Sequence, residues 1–76
     1  MAANYFWRGE AFFRIEDYKK SLSDANAAIH LDKEFGAAYR LRALIYRQVG
    51  ETEKAKENAK MARKHGCVEP RILGID

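Results

Sequence analysis

The amino-acid sequence predicts an all-α fold of four antiparallel helices, arranged as two tandem helix–turn–helix units with a short C-terminal tail. Three observations lead to this prediction. The chain repeats itself with a period of 34 residues, apolar and small residues recur at helical spacing within each repeat, and proline occurs once in 76 residues. Because a repeat of this length forms one supersecondary unit, two copies account for nearly the whole chain.

The repeat is found by sliding the sequence along itself by 34 positions, and the match needs no gap. It divides the chain into residues 2–35, residues 36–69 and a tail at 70–76. Similar residues fill many positions between the identical ones. The identical pairs are Ala3/Ala37, Tyr5/Tyr39, Arg8/Arg42, Lys20/Lys54, Ala25/Ala59 and Ala28/Ala62.

The first unit is predicted to form two helices. A break falls at Glu16-Asp17, where Asp17 is a suitable N-cap because its carboxylate can accept hydrogen bonds from the free N–H groups of a helix start. Before this break, apolar and small residues spaced at i, i+4 and i+7 form a stripe along one helix face, and a second such stripe follows the break. The stripes are Tyr5, Gly9 and Phe12, then Tyr18, Leu22, Ala25 and Ile29.

The second unit repeats the arrangement, with its break at Gly50-Glu51. Gly66 follows a basic last turn and suits the position just beyond a helix end. Both second helices carry small residues at matching positions, which predicts a close approach to the first helix of each unit. The stripes of the second unit are Tyr39, Ala43 and Tyr46, then Ala55, Ala59 and Ala62.

This pattern resembles the tetratricopeptide repeat (TPR) family, whose motif is W-x2-L-G-x2-Y, then A-x3-F, then P. The segment Asp17-Tyr18-Lys19-Lys20-Ser21-Leu22 is similar to the family's entry to its second helix. Departures occur at Arg8 and Arg42, at Ala25 and Ala59, and at Lys33 and Cys67. The matching residues are Tyr5, Gly9, Phe12 and Ser21, then Tyr39, Ala43, Tyr46 and Ala55.

The resemblance implies a short right-handed solenoid that acts as a non-enzymatic protein-interaction module. Its first helices would line a concave groove for a peptide or helix of a partner protein. One branch of the family binds the C-terminal carboxylates of chaperones with Lys, Asn and Arg. Such a clamp of charge-assisted hydrogen bonds cannot be built here, because the corresponding positions hold Phe6, Glu10, Ala37 and Leu41.

The groove prediction rests on two matched pairs. Phe6 and Phe13 are seven residues apart, as are Arg40 and Arg47, so each pair shares a helix face. An apolar patch beside a cationic one suits a short acidic–hydrophobic segment or an amphipathic helix. The alternative is that the phenylalanines pack against the tail or a neighbouring repeat and the arginines are merely solvated. The predicted groove residues are Phe6, Glu10, Phe13, Arg40, Leu44 and Arg47.

Three further side chains are assigned structural roles. Trp7 is expected to be a half-buried packing residue at the edge of the groove. Arg8 and Arg42 are expected to pair with nearby carboxylates or to lay their stems over the helix interface.

Composition argues against several other functions. The single cysteine, Cys67, cannot form an internal disulfide and fits a reducing compartment, so a cytoplasmic location is expected. We predict no catalytic residues, no metal site and no cofactor, because His30, His65 and Cys67 do not make a zinc ligand set and no glycine-rich phosphate loop occurs. No apolar run is long enough for a membrane span.

The net charge of +3 is modest and glutamates interleave with the lysines of the last helix, so the sequence does not favour nucleic-acid binding.

Lys56, Arg63 and His65 stand where the first unit has Leu22, Ile29 and Leu31. A polar outer face of this kind is typical of a terminal repeat. The second unit is therefore predicted to end an array, with Ile72, Leu73 and Ile75 as a partial cap. Because two repeats are few for stability, self-association (homo-oligomerisation) through an exposed edge is the alternative function.

Overall fold

The computed structural model describes residues 1–66, and these form four helices. The helices are α1 (Ala2–Arg14), α2 (Tyr18–Leu31), α3 (Gly36–Gln48) and α4 (Thr52–Lys64). Within this part of the chain there is no strand, so the all-α prediction is confirmed. The predicted tail at 70–76, its proposed cap and Cys67 lie outside the described residues.

The helices form two hairpins. Helix α1 packs along α2, and α3 packs along α4. The hairpins meet where α2 lies against α3, with a smaller contact between α1 and α3. Because α1 contacts α3, side chains from the first helices of both units can contribute to one surface.

The turns inside the two hairpins follow the same backbone path. Asp17 N donates to Phe12 O at 2.9 Å, and Glu51 N donates to Tyr46 O at 2.8 Å. The residue before each donor has a positive φ, 64° at Glu16 and 87° at Gly50. The breaks predicted at 16–17 and 50–51 are therefore confirmed.

The predicted helix signals at Asp17 and Gly66 are also present. The Asp17 carboxylate accepts a hydrogen bond from Lys20 N at 3.3 Å, as an N-cap does. Gly66 has φ 86° two residues beyond the end of α4, which is the left-handed conformation that favours glycine at this position. Glu51 starts α4 without a side-chain cap.

Small residues bring α1 and α2 close together. The Ser21 hydroxyl donates to the Gly9 carbonyl at 2.8 Å, and Ala25 is fully buried. A Cβ atom added at Gly9 would lie 3.1 Å from both Asp24 Cβ and Leu41 Cδ2. Leu41, on α3, therefore packs close to Gly9 of the first hairpin, and it helps to join the two hairpins into one core.

The core is better covered in the second hairpin than in the first. Tyr39 is 7% exposed and donates to the Lys33 carbonyl at 3.0 Å, while its ring stacks on His65. Tyr5, at the equivalent position of α1, is 37% exposed, and Leu31, which corresponds to His65, is 52% exposed. The predicted stripe of the first helix is thus only partly buried at its start.

Candidate functional site

An ion pair joins α1 and α3 at the predicted groove. Arg40 Nη2 lies 3.4 Å from Glu10 Oε2, and the two side chains are 27% and 19% exposed. Sequence reasoning placed both residues in the groove but did not predict that they would bind each other. The pair is 30 positions apart, and only the register between two packed helices brings it together.

Phe6 is a correction to the predicted groove, because it lies in the core and is only 6% exposed. Its ring packs against Phe35, at 5.2 Å between ring centroids, and against Trp7 at 5.0 Å. Phe35 is the N-cap residue just before α3, and its ring packs back onto α1. Phe6 therefore packs inside the protein and does not present its ring to a partner.

The other predicted groove residues are at least partly exposed to solvent. Phe13 is half-buried and packs against Tyr18, with the ring centroids 5.6 Å apart. Leu44 is half-buried, and Arg47 is exposed near the end of α3. We call Glu10, Phe13, Arg40, Leu44 and Arg47 the α1–α3 surface.

The geometry of this surface follows from helical spacing. Phe13 lies one turn beyond Glu10 on α1, and Leu44 and Arg47 lie one and two turns beyond Arg40 on α3. The Glu10 carboxylate is matched by the Arg40 guanidinium, so the positive charge of Arg47 remains unmatched by an acid within these five residues.

Arg8 binds a carboxylate, as predicted. It donates to Asp24 through Nε at 2.9 Å and through Nη2 at 2.8 Å. These hydrogen bonds and the charge of Asp24 raise the pKa of the Arg8 guanidinium above its ordinary value. The raised pKa means that the charged form of Arg8 is stabilised in the folded state, so the ion pair contributes to stability at neutral pH.

Arg42 does not pair with a carboxylate, which was one of its two expected roles, because its partners are amides. It donates through Nε to Asn58 Oδ1 at 2.8 Å and through Nη1 to Asn26 Oδ1 at 3.0 Å. Asn58 stands where the first unit has Asp24, which is why the carboxylate is missing. The Asp24/Asn58 pair was visible in the 34-residue repeat, but its role as a buried polar position was not predicted.

Trp7 is a second correction, since its side chain is exposed rather than half-buried. It is 64% exposed on α1, while Leu41, at the equivalent position of α3, is fully buried. The difference arises because the first hairpin covers Leu41, whereas no element among residues 1–66 covers the same side of α1.

Within residues 1–66, His, Cys, Asp and Glu side chains form no group of three that could hold a metal ion. None of the four described helices is both long and apolar enough to cross a membrane. Comparison with models of known protein families, with curated proteins and with solved structures gave no match in any of the three cases.

Proposed function

We propose that the chain is a TPR-like protein-interaction module, without enzymatic activity or cofactor, that binds a short acidic–hydrophobic segment of a partner protein. The observation that carries this proposal is the Glu10–Arg40 ion pair, which joins two helices from different hairpins into one surface. A surface formed by two packed helices changes little when a peptide binds to it. The peptide loses conformational entropy on binding, but the module does not, because its helices are already ordered.

The chemistry of the α1–α3 surface suggests how binding would work. Phe13 and Leu44 are half-buried and offer apolar area to a partner. Arg47 supplies a positive charge at the end of the surface. Because Arg40 already balances Glu10, an acidic residue on the partner would find Arg47 as its complement. Charge complementarity of this kind fixes orientation and speeds association more than it raises affinity.

A carboxylate clamp for chaperone tails is not proposed. Two of the four positions that would need cationic or amide side chains hold Phe6 and Leu41, and both are buried in the core. A cytoplasmic location belongs to the same proposal, as the setting that the cysteine usage suggests.

Self-association through an exposed edge is the second candidate function. The exposed Trp7 favours it, because large aromatic side chains are frequent anchors at protein interfaces. Sedimentation over a dilution series distinguishes the two candidates. An assembly held by edges dissociates on dilution, whereas a peptide-binding module stays monomeric throughout.

Selection from a displayed library of short random peptides tests the main proposal. Enriched peptides are expected to carry an acidic residue next to apolar ones, and Arg47→Glu should weaken their binding and slow their association. Lys60→Glu is the matched control, because it makes the same charge change at an exposed position on α4. If both variants weaken binding equally, net charge alone governs it. If neither weakens it, the α1–α3 surface is not the site.

A further inference from the structure

The ten residues that follow Gly66 have the chemistry that the proposed function assigns to a partner. We call residues 67–76 the C-terminal segment; they lie outside the described part of the structure. Three of its last five residues are aliphatic, and Asp76 follows them. The segment also holds Glu69 and one cation, Arg71, so its two acids and one base give a net charge of −1. The aliphatic residues are Ile72, Leu73 and Ile75.

The C-terminal segment starts beside the α1–α3 surface. His65 is the C-cap of α4, and its ring stacks on Tyr39 of α3 with the ring centroids 5.5 Å apart. Tyr39 immediately precedes Arg40, where this surface begins on α3. Ten extended residues span about 33 Å, whereas the helix from Arg40 to Arg47 spans about 10 Å. The segment is therefore long enough to cover the surface along its whole length.

Apolar and charged groups follow the same order along the segment and along α3. Phe13 and Leu44 are half-buried and apolar, and Arg47 lies one turn beyond Leu44, farther from the start of the segment. In the segment the aliphatic residues come first and Asp76 comes after them. A chain that runs from His65 toward the end of α3 therefore meets Phe13 and Leu44 first. Its acid then reaches Arg47, whose charge is unmatched within the α1–α3 surface.

The outer face of α4 offers no such match. Lys56, Lys60 and Arg63 share this face at i, i+4 and i+7, and all three are exposed. Two of them stand where α2 has the aliphatic residues Leu22 and Ile29. These cations attract acids, but they give the aliphatic residues of the segment little apolar area to cover. The α1–α3 surface is therefore a better site for the segment than the cap position that the sequence predicts.

We infer that residues 72–76 occupy the α1–α3 surface of their own chain, so that a partner segment must displace them. This inference rests on the proposed function, because both assign the same surface to an acidic–hydrophobic segment. A segment on a short linker has an effective concentration of about 1 mM. Even an intrinsic Kd of about 0.1 mM would then keep the surface about nine-tenths occupied, which lowers the affinity of a partner about tenfold.

A nitroxide spin label on the C-terminal segment tests where the segment lies. The label is attached to the full chain carrying Cys67→Ser and Gly74→Cys, since Cys67 is the only native cysteine. A nitroxide broadens the nuclear magnetic resonance signals of nearby amides, and the effect falls steeply with distance. We expect the strongest broadening at the amides of Phe13, Leu44 and Arg47.

The matched control carries the same label together with Ile72→Ser, Leu73→Ser and Ile75→Ser, which keep the length and charge of the segment. Broadening at the α1–α3 surface should fall severalfold in this control. Broadening centred on Lys56 and Arg63 would place the segment on α4 and overturn the inference. Equal broadening of all four helices, or equal broadening in the labelled chain and the control, would overturn it as well.

Peptide binding separates this inference from the proposed function. Peptides enriched from the displayed library should bind the chain with Ile72→Ser, Leu73→Ser and Ile75→Ser about tenfold more tightly than the unchanged chain. Equal affinity for the two chains overturns the inference and leaves the proposed function intact. If no peptide binds either chain, the proposed function fails, whereas the spin label still decides whether the segment lies on the α1–α3 surface.

Discussion

Arg42 donates through Nε to the amide oxygen of Asn58 at 2.8 Å, in the place where Arg8 Nε meets the carboxylate of Asp24 in the first hairpin. Both bonds join residues 16 positions apart. The two hairpins thus use the same arginine position to fasten the first helix to the second, with an ion pair in one copy and a neutral acceptor in the other.

Asn58→Ala should destabilise the second hairpin. Asn58 is 6% exposed, and its amide also donates to the Lys54 carbonyl at 2.8 Å, so the substitution removes two hydrogen bonds at a buried position. We expect a loss of about 1–3 kcal/mol in the free energy of unfolding, measured by urea denaturation. Asn26→Ala is the control, because its bond to Arg42 is exposed and should contribute at most about 0.5 kcal/mol. Equal losses in the two variants would contradict this distinction.

Gly9→Ala should destabilise the chain although alanine is the better helix former. The added Cβ would lie 3.1 Å from Asp24 Cβ, which the bonds to Arg8 hold in place, and from buried Leu41. Crowding of about 1–3 kcal/mol opposes a gain in helix propensity of about 1 kcal/mol, so a net loss of about 1 kcal/mol is expected in urea denaturation. A net gain would show that Asp24 and Leu41 can move away from residue 9 at little cost.

Substitutions in the turns of the two hairpins should change the melting temperature in opposite directions. Glu16 has φ 64°, where glycine is favoured, and Gly50 has φ 87° at the equivalent position. Glu16→Gly should therefore raise the melting temperature, whereas Gly50→Ala should lower it, since a left-handed conformation costs a residue with a Cβ atom about 1–2 kcal/mol. Thermal unfolding followed by circular dichroism measures both. If Glu16→Gly lowered the melting temperature, contacts of the glutamate side chain would outweigh its backbone strain.

Phe6→Ala should unfold the chain rather than weaken a binding site. Truncation of a buried phenylalanine costs about 3–5 kcal/mol, which is the whole stability that a core of this size supplies, roughly 3–5 kcal/mol. Phe13→Ala should cost clearly less because Phe13 is only half-buried. Helicity at 25 °C distinguishes the two variants. Should Phe6→Ala remain fully helical, the ring of Phe6 would not belong to the core.

Much of the fold could be predicted because the repeat and the turns are local signals. The stripe of each helix and the breaks at Glu16-Asp17 and Gly50-Glu51 depend on neighbouring residues alone. Asp17 was predicted as an N-cap because the side chain and the N–H group that it binds are three residues apart.

The site was less predictable because burial depends on what packs around a position. Phe6 and Trp7 are adjacent, yet one is 6% and the other 64% exposed. The sequence does not show that Phe35 packs back onto α1 or that the outer side of α1 has no cover among residues 1–66. The Glu10–Arg40 bond likewise depends on the register between helices from different hairpins.

The contacts between the helices determine which part of the molecule can open first. Among residues 1–66, α4 contacts α3 alone, whereas α3 is also held by α1 and α2. Separation of α4 therefore disturbs one helix interface, while separation of α1 or α2 breaks the interior formed by Phe6, Ile29 and Leu41. Amide protons of α4 should exchange with solvent through this partial opening, and those of the first three helices only when the molecule unfolds as a whole.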